Sequence, residues 1–358
     1  MEKHEIEFVS VKDVKKNADA IIIHYIEENG TDVIGIYDTG FESHGKALVE
    51  SLRRYYFTDS KRNVDFMIIS HSDEDHASGA EYILDNVPVK SIYMNRPWRF
   101  NKELLGYLDD KRRNNSSLKR MLRETYPYVA KIEDKAIKKQ IPIYDLFQGQ
   151  EILKRITILA PAPSFYFDLL CESNKIPDPT KTYSLESSLQ ESQGILRDEW
   201  KNEYLTTTNE TSSENEMSIV CFIHFDDENV LLTGDAGIRN LRQVITYLSK
   251  HGITPTADID VYQVPHHGGR HNLTIDVMND LVGDILEEDI DTGRKAFVST
   301  SKNSGYPRKV ISNSFIKRGI RVYSTNGSSI RHHKRMGKRV GWSSVACENF
   351  SDYIEPKE

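Results

Sequence analysis

A mixed α/β fold, with strands alternating with helices in two halves, is what this 358-residue sequence predicts. Three stretches carry that expectation. Each is a short, largely apolar run that ends in charged or imidazole side chains: Phe66–Ile69 before His71-Ser72-Asp73-Glu74-Asp75-His76, Val230–Leu232 before Thr233-Gly234-Asp235, and Ile259–Val264 before Pro265-His266-His267-Gly268. Runs this short and this rich in β-branched residues read as buried strands rather than helices. The first of them stops in a loop holding two imidazoles and three carboxylates within six residues. Those are the ligand types divalent metals take, placed at a sheet edge where loops carry function.

Taken in order, Ile6–Val11, Ala20–Ile26 and Val33–Tyr37 read as strands, the last two joined by the hairpin connection Glu27-Glu28-Asn29-Gly30. Asp38-Thr39-Gly40 closes the third strand, and residues 44–57 read as a helix feeding the Phe66–Ile69 strand. Gly79 and Ala80 open an amphipathic helix with Tyr82, Ile83 and Val87 on one face, and Val89–Met94 is the next strand. Residues 96–140 then change character. Cations such as Arg96, Arg99, Arg112, Arg113, Arg123 and Lys135 are interleaved with Trp98, Phe100, Tyr107, Tyr126 and Tyr128. Leu118, Met121, Leu122 and Tyr126 recur at helical spacing, so much of this is a helical insertion. Cations beside aromatic rings are what a single-stranded nucleic-acid groove uses. Acidic residues mixed among them, Glu124, Glu133 and Asp134 included, suit a solvated helical cap equally well.

Ile152–Leu159 returns to strand, and residues 170–216 form a second, polar insertion, with a helix over 185–204 and a flexible loop over Thr206–Glu216. Met217–Phe225 and Asn229–Thr233 pair as a hairpin delivering Asp235. Helices over Ile238–Leu248, Ile275–Leu286 and Arg308–Lys317 alternate with strands at Ile259–Val264, Ala296–Ser299 and Arg321–Ser324. No repeat or linker separates two cores, so residues 1–346 are expected to form one domain that contains both insertions. The basic run Arg331-His332-His333-Lys334-Arg335 reads as a phosphate-binding strip or as a solvated charge run.

Composition narrows the function classes. Hydrophobic content of 38% with 28% charged residues is ordinary for a globular protein. No apolar run approaches the ~18 residues needed to cross a bilayer, and Met1-Glu2-Lys3-His4-Glu5 lacks the order of a signal peptide, so a cytoplasmic protein without a membrane partner is expected. Cys171, Cys221 and Cys347 are too far apart for a metal pattern and fit a reducing compartment. A net charge of −7 argues against a surface that is one continuous nucleic-acid footprint.

The set His71-x-Asp73-x-Asp75-His76, Leu231–Asp235 and Val264–Gly268 resembles the metallo-β-lactamase fold superfamily. Within it, the set is similar to the soluble hydrolase domain of ComEC-like competence (DNA-uptake) proteins. That branch has Asp where most of the superfamily has a second His, and this chain has Asp73 there; the likeness runs from about Asp19 to Ile330. The resemblance implies a four-layer αβ/βα sandwich whose ligand loops meet along one edge. It also implies a divalent metal cofactor of one or two ions, Zn²⁺ or Mn²⁺, with Mg²⁺ as a further candidate. One ion would take His71 and Asp73, the other Asp75, His76 and His267, with Asp235 bridging and His266 competing for the role of His267. Asp38 would stand behind a ligand imidazole and orient it.

The chain departs from the family in two places. Where the superfamily supplies another His, it has Ser212-Ser213-Glu214-Asn215-Glu216, leaving the first ion to Glu214, Asn215 or water. Gly305-Tyr306-Pro307 has Tyr306 where ComEC-like proteins often have His, and Tyr306 would meet substrate as a hydrogen-bonding phenol.

The resemblance implies that metal-bound hydroxide attacks a phosphodiester in line. Asp75 and Asp235 would carry that chemistry, with His266 or Lys302 protonating the leaving oxygen. Lys302, Arg112 and Arg113 are candidate phosphate contacts. The partner expected is DNA, single-stranded by preference, which makes the chain a nuclease. The alternatives are a phosphodiesterase for a small nucleotide or a non-catalytic scaffold with a degenerate site. Because the family's channel portion is absent, an operon-encoded protein partner is also expected.

Overall fold

Nearly every side chain of Ala20–Ile26 is buried, so this strand must be covered on both faces. It is: Ile21, Ile23 and Tyr25 point into one apolar layer, while Ala20 and Ile22 point into another. A slip of one residue would exchange the two layers, which pins the register. The computed structural model describes residues 1–12, 14–108, 114–176 and 196–356. The described strands, in chain order, are β1 (Lys3–Phe8), β2 (Ala20–Ile26), β3 (Asp32–Thr39), β4 (Phe66–Ile69), β5 (Ile92–Met94), β6 (Ile143–Tyr144), β7 (Glu151–Ile152) and β8 (Ile156–Ala160). They continue with β9 (Leu196–Arg197), β10 (Val220–Phe225), β11 (Glu228–Leu232), β12 (Val261–Gln263), β13 (Lys295–Val298), β14 (Arg321–Ser324), β15 (Ile330–Lys334) and β16 (Tyr353–Ile354).

Two seven-stranded sheets form, ordered β15-β1-β2-β3-β4-β5-β6 and β14-β13-β12-β11-β10-β8-β7. In the first, β1 to β3 are antiparallel and β3 to β6 parallel; in the second, β11 to β14 are parallel. Ile6, Ile68, Ile158, Val230 and Phe297 fill the layer between the sheets. Helices cover both outer faces, with Leu48, Ile83 and Leu122 on one side and Leu241, Val244 and Phe315 on the other. This is the four-layer αβ/βα sandwich, with the carboxyl ends of the parallel strands β4, β11 and β12 meeting at one edge, where ligands bind in such sheets.

Several local expectations change. The helix expected over 44–57 spans Glu42–Ser51 and continues as a wider π-helical turn, Leu52–Tyr56. The basic run 331–335 forms most of β15 rather than a phosphate strip. It pairs with β1, and its cations are engaged: Arg331 with Glu5, Arg335 with Asp227, and His332 with Glu228 at 2.8 Å.

The first insertion carries helices Asn101–Leu108, Asn115–Thr125 and Pro127–Lys138. Many of its rings and cations face inward or pair off, although Tyr107 is exposed. Trp98 and Tyr126 are buried, Arg96 binds Asp145 at 2.6 Å, Arg123 binds Glu133 and Asp134 and lies over Trp98, and Lys135 binds Asp85 at 2.6 Å. The described part is therefore a packed helical cap; Arg112 and Arg113 lie outside the described residues.

In the second insertion, residues 185–195 also lie outside, and 196–204 hold β9 rather than a helix. Lys317 and Arg318 tie that segment down through Asp198 and Glu203, and β9 pairs with β16, beyond residue 346. Residues 206–216 end in a short helix, Ser213–Glu216, with Glu214, Asn215 and Glu216 buried. No helix among the described residues is long and apolar enough to cross a membrane.

Candidate metal centre

The loops that bring the site together are built by unusual backbone. Asp38, His266 and His267 all have φ between 50° and 57°, left-handed values that cost a non-glycine residue about 1–2 kcal/mol each. Glycine is needed at 234, where φ is +53° and an added Cβ would lie 2.9 Å from Ser70 Cβ. The Gln263 side-chain carbonyl holds this turn by accepting from the backbone N–H groups of Thr233 and Gly234, at 2.9 and 3.0 Å. His266 N–H then donates to the Gly234 carbonyl, which docks the Pro265–Gly268 turn against it.

Three imidazoles are pinned through Nδ1, so each presents Nε2. His76 Nδ1–H donates to Asp38 Oδ2 at 2.8 Å, and His267 Nδ1–H donates to the Ser299 carbonyl at 2.9 Å. Ser70 Oγ gives its proton to Asp38 Oδ2 at 2.7 Å, so it accepts from His71 Nδ1–H at 3.0 Å. Each Nε2 lone pair therefore faces a carboxylate. The distances are His76 to Asp235 3.1 Å, His267 to Asp75 3.5 Å, and His71 to Asp73 and Asp235 4.0 Å each. The three Nε2 atoms, Asp235 Oδ1 and both Asp19 oxygens are buried without a hydrogen bond of normal geometry among the described residues.

Lone pair against carboxylate is repulsive unless a cation lies between them, either a proton or a metal. With protons alone, the cluster is strongly polarised. Burial presses the His76 imidazolium down, but Asp235, Asp38 and Asp75 outweigh it and raise its pKa well above the ordinary value. His267 is likewise pushed up to about 9 against its own burial, by Asp19, Asp75 and Asp235. Burial also opposes ionisation of Asp75 and Asp235, yet the imidazoliums hold both below the usual carboxylate range. The donor set fits a divalent metal, which would displace those protons on binding.

Asp19, His76, Asp235 and His267 place ligand atoms within 4.8 Å of one another. Asp19 carries little signal in the sequence because it precedes its strand, whereas the other candidate ligands follow theirs. Its one signal is a carboxylate set directly against a fully apolar strand start. Burial raises its pKa, and its Oδ2 lies 3.8 Å from His267 Nδ1 and 4.0 Å from His76 Nδ1.

The remaining candidates fall as follows. Between the two adjacent imidazoles, His267 is buried in the cluster, while His266 stands at the rim, 3.6 Å from Asp235 and held by Asn272 at 2.8 Å. Asp38 lies behind His76 and also accepts the Ser70 N–H at 2.7 Å. Glu214 is turned away from the cluster and accepts from Ser173 at 2.6 Å and Tyr126 at 3.1 Å. An open cavity of about 380 Å³ leads to the Asp75 and His267 side, lined by Lys15, Lys16, His266, Ser304 and Tyr306 among others. Lys302 is exposed on the same loop but does not line this cavity.

Residues 20–154 match the family model described as the metallo-beta-lactamase superfamily. Among solved structures, the chain is similar to the hydrolase AbOPH "in beta lactamase superfamily" (12% identity, 69% of this chain and 72% of that one, TM-score 0.33). It is also similar to Zn²⁺-bound PqqB from Methylobacterium extorquens (9%, 91% and 99%, 0.41) and to a long form of RNase Z from yeast (11%, 92% and 41%, 0.40). This chain thus spans under half of the yeast protein. A search of curated proteins finds no match.

Proposed function

We propose that this chain, whose fold is that of the metallo-β-lactamase superfamily, is a metal-dependent hydrolase that cleaves phosphodiester bonds, with DNA as its lead substrate. The observation that carries the metal is the convergence of three buried, unpartnered Nε2 atoms on the carboxylates of Asp235, Asp75 and Asp73, with Asp235 Oδ1 itself buried and unpartnered among the described residues. Asp19, Asp75, His76, Asp235 and His267 would hold it. A divalent ion there supplies a Lewis acid that polarises a phosphoryl oxygen and lowers the pKa of a neighbouring water.

The anionic substrate is supported by the mouth of the cavity, where the exposed ammoniums of Lys15 and Lys16 face the Asp75 side. Their loop is held in place because Ser301 donates to the Lys15 carbonyl and to the Asn17 side chain, both at 2.8 Å. Lys15 and Lys16 bind phosphate, Tyr306 contacts the substrate, and His266 at the rim protonates the leaving oxygen. The finer resemblance to ComEC-like proteins is what brings DNA forward. A second reading, a small nucleotide or the end of a strand, is favoured by the cap, whose described cations are largely spent on ion pairs.

The test is Mn²⁺- or Zn²⁺-dependent hydrolysis of single- and double-stranded DNA beside bis(p-nitrophenyl) phosphate and small cyclic and linear nucleotides. Asp75→Ala should abolish turnover on whichever substrate responds, and Lys15→Ala with Lys16→Ala should raise KM more than it lowers kcat. Undiminished hydrolysis by Asp75→Ala would overturn the reading.

A further inference from the structure

The two halves of the centre are built differently. Around His76 and His267 stand Asp19 and Asp235, with ligand atoms within 4.8 Å of one another, and Asp75, which lies 3.5 Å from His267 and lines the cavity. Around His71, among the described residues, stand Asp73 and the shared Asp235, each 4.0 Å from its Nε2, and Asp73 Oδ1 already accepts the Lys175 ammonium at 2.7 Å. Glu214, Asn215 and Glu216 of the Ser213–Glu216 helix are all engaged elsewhere. Glu214 takes Tyr126 and Ser173, Asn215 lies 3.4 Å from His266, and Glu216 caps residues 239 and 240 by accepting their N–H groups at 3.2 and 2.7 Å.

Lys175 is held in its place by the same network. Its backbone N–H donates to Ser173 Oγ at 3.1 Å, and Ser173 donates to Glu214 Oε1. A carboxylate, an imidazole lone pair and a tethered ammonium make a complete charge arrangement without an ion. A second divalent ion would have to displace the lysine and, among the described residues, would find only His71 and Asp73 as new protein ligands beside the shared Asp235.

We infer that the centre holds one divalent ion, in the Asp19, Asp75, His76, Asp235 and His267 half, and that the Lys175 ammonium takes the place of a second ion beside Asp73. This deepens the metallohydrolase reading and rests on it for the ion itself, but not for the substrate. The lysine supplies a positive charge on the Asp73 side of the site, in addition to Lys15 and Lys16 at the mouth of the cavity.

The experiment is metal counting by mass spectrometry and Mn²⁺ electron paramagnetic resonance on the full chain, without substrate. The wild type should take up one ion per chain and show uncoupled Mn²⁺ in excess metal. Lys175→Met, at a half-exposed position that tolerates change, should take up a second ion and show a spin-coupled pair. Lys175→Arg should stay at one, and Lys175→Met with Asp73→Asn should return to one. A coupled pair in the wild type, or a single ion in Lys175→Met, overturns the assignment. Failure to bind any ion overturns this inference and the metallohydrolase reading together. One ion with the expected response at Lys175, but no phosphodiester cleavage, overturns only the proposed function.

Discussion

Adding Mn²⁺ or Zn²⁺ to metal-stripped protein should raise its melting temperature, and Asp235→Asn should remove that rise. Asp235 is the place to cut because its two oxygens face three imidazoles: Oδ1 is 3.1 Å from His76, and Oδ2 is 3.6 Å from His266 and 4.0 Å from His71. A ligand that binds only the folded chain stabilises it by about 2.7 kcal/mol at 100 times its Kd and about 4.1 kcal/mol at 1,000 times. With an unfolding entropy of about 2.1 cal/mol/K per residue, a chain of 358 residues changes by about 0.75 kcal/mol per degree. The expected rises are therefore about 3–4 °C and about 5–6 °C.

The variant carries a second signature. Removing one partner from a buried charged set costs about 3–5 kcal/mol, so its metal-free melting temperature should itself fall by about 4–7 °C. Differential scanning fluorimetry on chelator-treated protein, with metal titrated back, reads both effects. An intact metal-induced rise in Asp235→Asn, or a flat wild-type response at millimolar metal, would refute the placement of the ion.

Three further outcomes follow from named contacts. Asp38→Ala should weaken metal binding by about 10–100-fold, measured by competition with a chromophoric chelator, because it frees the His76 ring and the Ser70 turn together. Gly234→Ala should cost about 2–4 kcal/mol in urea unfolding, since it combines a left-handed backbone with a 2.9 Å overlap against Ser70 Cβ. The third outcome is a pH effect. His24 lies between Glu5 at 2.8 Å and Asp32 at 3.0 Å, and these carboxylates raise its pKa against the opposing effect of burial. A raised folded value means that its contribution is fully present below the unfolded value of about 6.5 and is lost as pH climbs through the folded one. The urea midpoint of the wild type should fall over that window relative to His24→Gln, and parallel curves would refute the coupling.

The features legible in the amino-acid order are local and repetitive. Runs such as Phe66–Ile69 and Val230–Leu232 announce strands because side-chain period and β-branching are properties of neighbouring residues. His71, Asp75, His76, Asp235 and His267 announce themselves because each follows such a strand closely, and carboxyl strand ends gather at one edge of a sheet. The tertiary structure decided everything that depended on which distant side chains meet. Asp19 precedes its strand and enters the centre only because its backbone N–H pairs with the Asp75 carbonyl at 3.1 Å. Lys175 reaches Asp73 across about a hundred residues of chain. The cations of the cap and of β15 looked free for phosphate in the sequence. Their acidic partners, Asp85, Asp145 and Glu5, lie on other elements, and an ion pair between distant residues leaves no period to read.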